Sequence, residues 1–150
     1  MPAAAKLSEN DVEAQVLDFL RLEGFLPKRQ QRGAIQRDGW DAMRRARKTH
    51  TIMLGKRGES DWQALRPATH GKGLAYLEVE VKAEAERPRP DSKNALTARR
   101  GKEQLEYIAG RNTLGVPACW TNDLEAFVRW FRLVEANGFR PVDEWEAKAA

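Results

Sequence analysis

Tyr76-Leu77-Glu78-Val79-Glu80-Val81-Lys82-Ala83 is the clearest strand in the chain. Side chains of a β-strand alternate between its two faces, so Leu77, Val79 and Val81 share one face and Tyr76, Glu78, Glu80 and Lys82 share the other. One face reads as core and the other is strongly ionic. The ordinary explanation for such an ionic face is a solvated outer surface, because charged side chains are seldom buried.

Working outward, Thr51-Ile52-Met53-Leu54, ending at Gly55, and Trp62-Gln63-Ala64-Leu65 read as two shorter strands before it, and Val116 to Trp120 as one after it. A helix over about 9–23 is expected from the cap Ser8 with Asp11, the stripe Val12, Val16, Phe19 and Leu20, and the stop at Gly24. The basic, proline-rich connector Arg87-Pro88-Arg89-Pro90 leads through Asp91 to Ala98 into a second helix over about 99–109, which carries Gln104, Leu105 and Ile108. Asn122 with Glu125 caps a third, whose stripe is Leu124, Phe127, Val128, Phe131 and Val134, closed by Gly138. The order helix, three strands, helix, strand, helix predicts an α/β domain with a small central mixed β-sheet flanked by helices. Residues 1–140 read as one such domain, with a basic insertion at 28–57, and 141–150 as a C-terminal tail.

The chain has 150 residues, 41% hydrophobic and 32% charged, enough for one domain with its own core. One cysteine, Cys119, and two histidines exclude a disulfide framework and a structural zinc site. Cys119 reads as a buried, inert thiol, and His50 and His70 as surface residues. No apolar run approaches the roughly 18 residues of a membrane span, and the N-terminal residues lack the apolar segment of a signal peptide, so a cytoplasmic setting is expected. The formal net charge of +4 is mild but unevenly distributed. Residues 28–57 hold ten Lys or Arg against Asp38 and Asp41, a net of +8, and the remainder of the chain carries −4.

Upstream of the ionic face, Gly58-Glu59-Ser60-Asp61 puts an acid where a turn enters the preceding strand. A hairpin of neighbouring strands brings Asp61 towards Glu80. Converging carboxylates repel each other unless a cation lies between them, and oxygen ligands favour Mg²⁺ or Mn²⁺ over zinc. Such an ion polarises a phosphodiester and acidifies water. Lys82, on the same face, is placed to stabilise developing negative charge, and Gln104 offers a neutral hydrogen-bonding group. Glu78 shares the face and is the alternative to Glu80 as metal ligand, although only Glu80 stands two residues before the lysine.

These residues resemble the VRR-NUC branch of the PD-(D/E)xK nuclease superfamily. The resemblance rests on Gly58-x-x-Asp61, a strand ending Glu80-Val81-Lys82, Gln104 early in a helix, the opening helix from Val12 to Leu20 with Gly24, and the approach Leu54 to Asp61. It implies a restriction-endonuclease-like core and a divalent-metal-dependent DNA endonuclease, related to Holliday junction resolvases and often homodimeric. It further implies Asp61, Glu80 and the backbone carbonyl of Val81 as metal ligands, Lys82 as the catalytic lysine and Gln104 as a residue lining the site. Glu13 would be the first-helix acid, with Glu9, one turn away, as the alternative.

A site made of acids must still attract a polyanion, and counterion release from Lys and Arg supplies that affinity. Arg44, Arg45, Arg47, Lys48, Lys56 and Arg57 are the candidate DNA contacts in the first basic region. In a second group, Arg87, Arg89, Lys93, Arg99, Arg100 and Lys102 flank the same groove between the strand and the Gln104 helix. Trp40, among basic residues, is a candidate for stacking on an unpaired base. Trp62, Trp120 and Trp130 follow apolar patterns and read as core or interface. The expected substrate is double-stranded or branched DNA. The competing expectation is a non-catalytic nucleic-acid-binding module with the same fold.

Overall fold

The decisive strand lies at the centre of the molecule. A computed structural model of the chain describes residues 3–30, 60–67 and 73–149, together with the backbone of two strands at 33–41 and 46–54. In chain order the elements are α1 (Glu9–Leu22), β1 (Leu26–Arg29), β2 (Gly33–Asp41), β3 (Ala46–Leu54), β4 (Trp62–Pro67), β5 (Leu74–Val81), α2 (Ala95–Thr113), β6 (Ala118–Thr121), α3 (Leu124–Ala136) and β7 (Glu146–Ala147). Five strands form one mixed sheet in the order β1-β4-β5-β6-β7. β1, β4 and β5 pair antiparallel, while β5, β6 and β7 pair parallel. The parallel β5–β6 pair needs a crossover, and α2 provides it.

Helices α1 and α3 cover one face of the sheet. Val12, Val16 and Leu20 of α1 and Phe127, Trp130, Phe131 and Val134 of α3 pack there with Leu77, Val79, Val81 and Cys119. Phe131 meets Phe19, Phe25 and Phe139 with ring centroids 5.1, 5.7 and 5.8 Å apart, near the edge-to-face geometry that aromatic quadrupoles favour. On the other face α2 sets Ile108 against Ala118 and Trp120. Trp120 and Trp130 are core residues, as expected, and Trp62 packs partly buried beside the core. Burial pushes the Cys119 thiol well above its usual range, which keeps it protonated and unreactive. Among the described residues no helix is long and apolar enough to cross a membrane.

The caps explain where the helices begin. Ser8 and Asp11 form a reciprocal capping box on α1, as the pattern predicts. Helix α2 is longer than expected because Asn94, accepting from the Thr97 N–H at 3.0 Å, starts it four residues earlier. On α3 the cap is Asp123, whose carboxylate accepts from the Ala126 N–H at 2.9 Å, and not Asn122. Asn122 is buried, donates to the Glu86 carbonyl at 2.8 Å and accepts from the Ala149 N–H at 3.0 Å.

Three strand expectations change. The segment 51–54 is the end of a nine-residue strand that pairs antiparallel with β2 as a separate two-stranded sheet. Its ladder is made by backbone groups, which charged side chains neither need nor reveal, so residues 33–41 and 46–54 of the basic insertion form an antiparallel strand pair. β1 contains Pro27 and flanking charges, which suit an edge strand and hide it from apolar alternation. The tail expected beyond Pro141 returns to the sheet: Glu146–Ala147 pairs with β6, Ala147 is buried, and Trp145 packs on the core. Removing residues 141–150 is therefore expected to lower the unfolding free energy by about 2 kcal/mol or more, the scale of burying one large apolar side chain. Urea denaturation of the shortened chain measures this, and an unchanged midpoint would contradict a structural role for the tail.

Candidate active site

Because β5 is central, its ionic face is covered. Glu78 is 1% exposed and Glu80 2% exposed. A carboxylate removed from water needs a compensating charge or several donors, and the two glutamates find different ones.

Glu80 sits where three elements meet. Register across the β4–β5 pair sets Trp62 opposite Val79, which brings Asp61, at the entrance to β4, beside Glu80. The Asp61 backbone N–H donates to Glu80 Oε2 at 3.1 Å, and the Val81 N–H donates to Asp61 Oδ2 at 3.3 Å. Lys82 Nζ lies 2.9 Å from Glu80 Oε1. Its backbone is held by its N–H donating to the Thr121 carbonyl at 2.8 Å. From α2, Gln104 Nε2 donates to the same Oε1 at 2.5 Å. Asp61, Glu80, Val81, Lys82 and Gln104 thus form one connected cluster. Val81 joins the cluster through its N–H, which donates to Asp61.

Glu78 is held by a separate set. Arg111 grips it with two hydrogen bonds, Nε to Oε2 at 3.1 Å and Nη2 to Oε1 at 2.9 Å. The Tyr76 hydroxyl donates to Oε1 at 2.6 Å, and Gln30 Nε2 lies 3.4 Å away. Burial works against the Arg111 charge, but hydrogen bonding and attraction to Glu78 outweigh it and raise its pKa. Burial, and then the hydrogen bond and charge of Glu78, raise the Tyr76 phenol far above its ordinary 10.0. This set acts as an internal salt bridge, and its partners differ from those of Glu80 throughout.

The first-helix acids separate. Glu13 accepts from Trp62 Nε1 at 2.9 Å and from Arg29 at 2.9 and 3.1 Å, so it steadies the residue that follows Asp61. Glu9 instead lines a cavity of about 410 Å³ together with Lys82 and Gln104. Arg87, Arg89 and Arg100 of the second basic group line the same cavity. Arg99 and Lys102 pair along α2 with Glu103 at 3.1 Å and Glu106 at 3.8 Å. Arg44, Arg45, Lys56, Arg57 and His70 lie outside the described residues, and Trp40, Arg47, Lys48 and His50 are described by backbone alone. Ser60, beside Asp61, is fully buried, and its hydroxyl has no hydrogen-bond partner among the described residues. Sequence reasoning did not single out Arg111 or Gly101. A glycine inside a helix is the one available signal for the second of these.

The donor set tests whether a cation fits. Asp61 and Glu80 offer carboxylate oxygens, and no nitrogen or sulfur ligand lies among them, which suits a hard dication that keeps several waters. Asp61, Glu80 and Lys82 sum to a formal charge of −1. Among the described residues no group of three or more His, Cys, Asp or Glu side chains is arranged around a common point, so any ion there depends on two carboxylates, backbone and water.

Two outcomes follow from the Glu78 set. Arg111→Met leaves a buried carboxylate uncompensated and should cost about 3 kcal/mol in urea denaturation. Tyr76 has a raised folded-state pKa, so its contribution is fully present below pH 10.0 and is lost as the pH rises above it. The stability difference between the native chain and Tyr76→Phe should therefore be flat up to about pH 10 and shrink beyond, and a difference that grows there would be inconsistent with the buried phenol. Comparison of the chain with family models, with curated proteins and with solved structures finds no match, so its functional reading rests on this geometry.

Proposed function

We propose that the chain is a divalent-metal-dependent DNA endonuclease with a restriction-endonuclease-like core, and that branched or junction DNA is among its substrates. The observation that carries this reading is the convergence on Glu80: one buried carboxylate receives Lys82, Gln104 and the Asp61 N–H beside an open cavity lined with arginines. A solvated ionic face would show none of this, and a purely structural ion pair would not need to border a polar cavity. The resemblance of the same residues to the VRR-NUC pattern supports the branched-DNA substrate and a homodimer.

Asp61 and Glu80 would hold the ion, with the Val81 carbonyl as a further oxygen, and Mg²⁺ or Mn²⁺ bound there would neutralise charge at the phosphodiester and acidify water. The protein's own contribution is positioning. Lys82 is kept near Glu80 by a 2.9 Å contact and by its backbone bond to Thr121, so its ammonium stays at the cavity wall where charge develops on the phosphoryl oxygens. Gln104 commits the Nε2 end of its amide to Glu80, leaving the Oε1 end as the acceptor suited to orienting an attacking water. Glu13, through Trp62, fixes the entry to β4 and with it Asp61.

The test is to incubate the chain with supercoiled plasmid, linear duplex and a four-way junction, each in Mg²⁺, in Mn²⁺ and in EDTA. Cutting is expected only with metal. Lys82→Ala and Glu80→Gln should lower the rate by roughly 100-fold or more, the scale of losing one group that stabilises transition-state charge. Glu78→Gln should change stability more than rate. Retained DNA binding without cutting of any substrate would replace the nuclease with a binding module.

A further inference from the structure

The cavity beside Lys82 is bounded by a strap that follows β5. Residues 83–90 are tied at two places. The Glu84 N–H donates to the Leu7 carbonyl at 3.1 Å, and the Leu7 N–H returns a bond to Glu84 Oε2 at 2.7 Å. Further along, Asn122 donates to the Glu86 carbonyl at 2.8 Å. Between them Ala85 has φ 65°, a left-handed conformation that an alanine holds only when its surroundings impose it. Pro88 is buried.

The strap then lies directly on α2. A Cβ at Gly101 would stand 2.6 Å from the Arg89 N, 2.7 Å from its C and 2.9 Å from the Pro90 N. Only glycine admits backbone at that distance. This contact brings the Arg89 segment against the helix turn that carries Arg100, one turn before Gln104.

Charge in the cavity is unequal. Lys82, Arg87, Arg89 and Arg100 face Glu9 and Glu86, a formal excess of +2. Arg87 is engaged with Asp91 at 3.0 Å. Arg89 lies near enough to Asp91 to help hold its carboxyl below the ordinary range, and neither Arg89 nor Arg100 forms a direct salt bridge among the described residues, whereas Arg99 and Lys102 beside them are paired. A strained, anchored strap and an interior helix glycine therefore hold two guanidinium groups in a cavity wall whose cations outnumber its anions.

We propose that Arg89 and Arg100 form a phosphate subsite that grips the DNA backbone next to the phosphodiester at Lys82. The inference rests on the nuclease reading for the position of the cut, but the binding it describes needs neither metal nor turnover. Guanidinium forks suit phosphate oxygens, and each such contact releases a condensed counterion. The Gly101 contact sets the distance between the two arginines.

Fluorescence anisotropy of a labelled DNA duplex, titrated in EDTA across a salt series, tests this with the full chain. Arg89→Ala and Arg100→Ala should each weaken binding by about 10-fold and reduce the slope of log affinity against log salt by about one. Arg129→Ala, which removes the same charge from α3 on the opposite face of the sheet, should change affinity less than about 2-fold and serves as the control. Gly101→Ala should lose affinity with both arginines intact, with circular dichroism reporting on its fold. Losses for Arg89→Ala and Arg100→Ala no larger than for Arg129→Ala would overturn the subsite, whether or not the chain cuts DNA. Weakened binding in a chain that cuts no substrate would sustain the subsite and remove the nuclease.

Discussion

Two carboxylates on the same face of a central strand have to be compensated, and much of the polar structure follows from how this is done. Glu78 and Glu80 are equally buried and separated by one residue. Glu78 is matched by a bidentate guanidinium from the C-terminal half of α2 and a tyrosine hydroxyl. Glu80 is matched by a lysine just past the end of its strand, an amide from the same helix and the backbone of Asp61. One helix thus serves both acids, holding the first in an internal salt bridge and giving the second an amide from Gln104, which lines a cavity.

That division links packing to chemistry. α2 lies over β6 through Ile108, Ala118 and Trp120, and its register on the sheet decides that Gln104 reaches Glu80 while Arg111 reaches Glu78. The opposite face has no such polar demand. There α1 and α3 close an apolar layer of aliphatic and aromatic side chains, which supplies the burial that offsets the cost of ordering the site. The C-terminal return of the chain as β7 completes the parallel edge, and the bond from Ala149 to Asn122 ties that edge to the strap beside the cavity.

The strap illustrates the same economy. It leaves β5 at Lys82, takes a left-handed turn at Ala85 and reaches α2 at a glycine. Cationic side chains are thereby held in a cavity wall that also includes Lys82 and Gln104, the two partners of Glu80.

Much of the site was legible in the chain itself. The alternation from Tyr76 to Lys82 determined which residues share a face, because side chains in a strand must alternate, and the turn into the preceding strand at Asp61, with Gln104 on the next helix as the resemblance implies, indicated the residues that meet at Glu80. The apolar stripes and end signals determined three helices and the α/β class. Other features depended on the tertiary structure. Strand alternation treats Glu78 and Glu80 alike; the lysine two residues on favours Glu80, and the approach of α2 and of Asp61 separates their partners. The helix period permits Glu9 and Glu13 equally, and only the positions of Trp62 and Arg29 engage Glu13. The β1 edge, the β2–β3 pair and the β7 return carry too little apolar pattern to announce themselves, since backbone ladders are made by groups that every residue but proline shares. Sequence determined which polar groups were available, and tertiary structure decided which partners each of two acids on one face received, because compensation of a buried charge depends on neighbours distant in the chain.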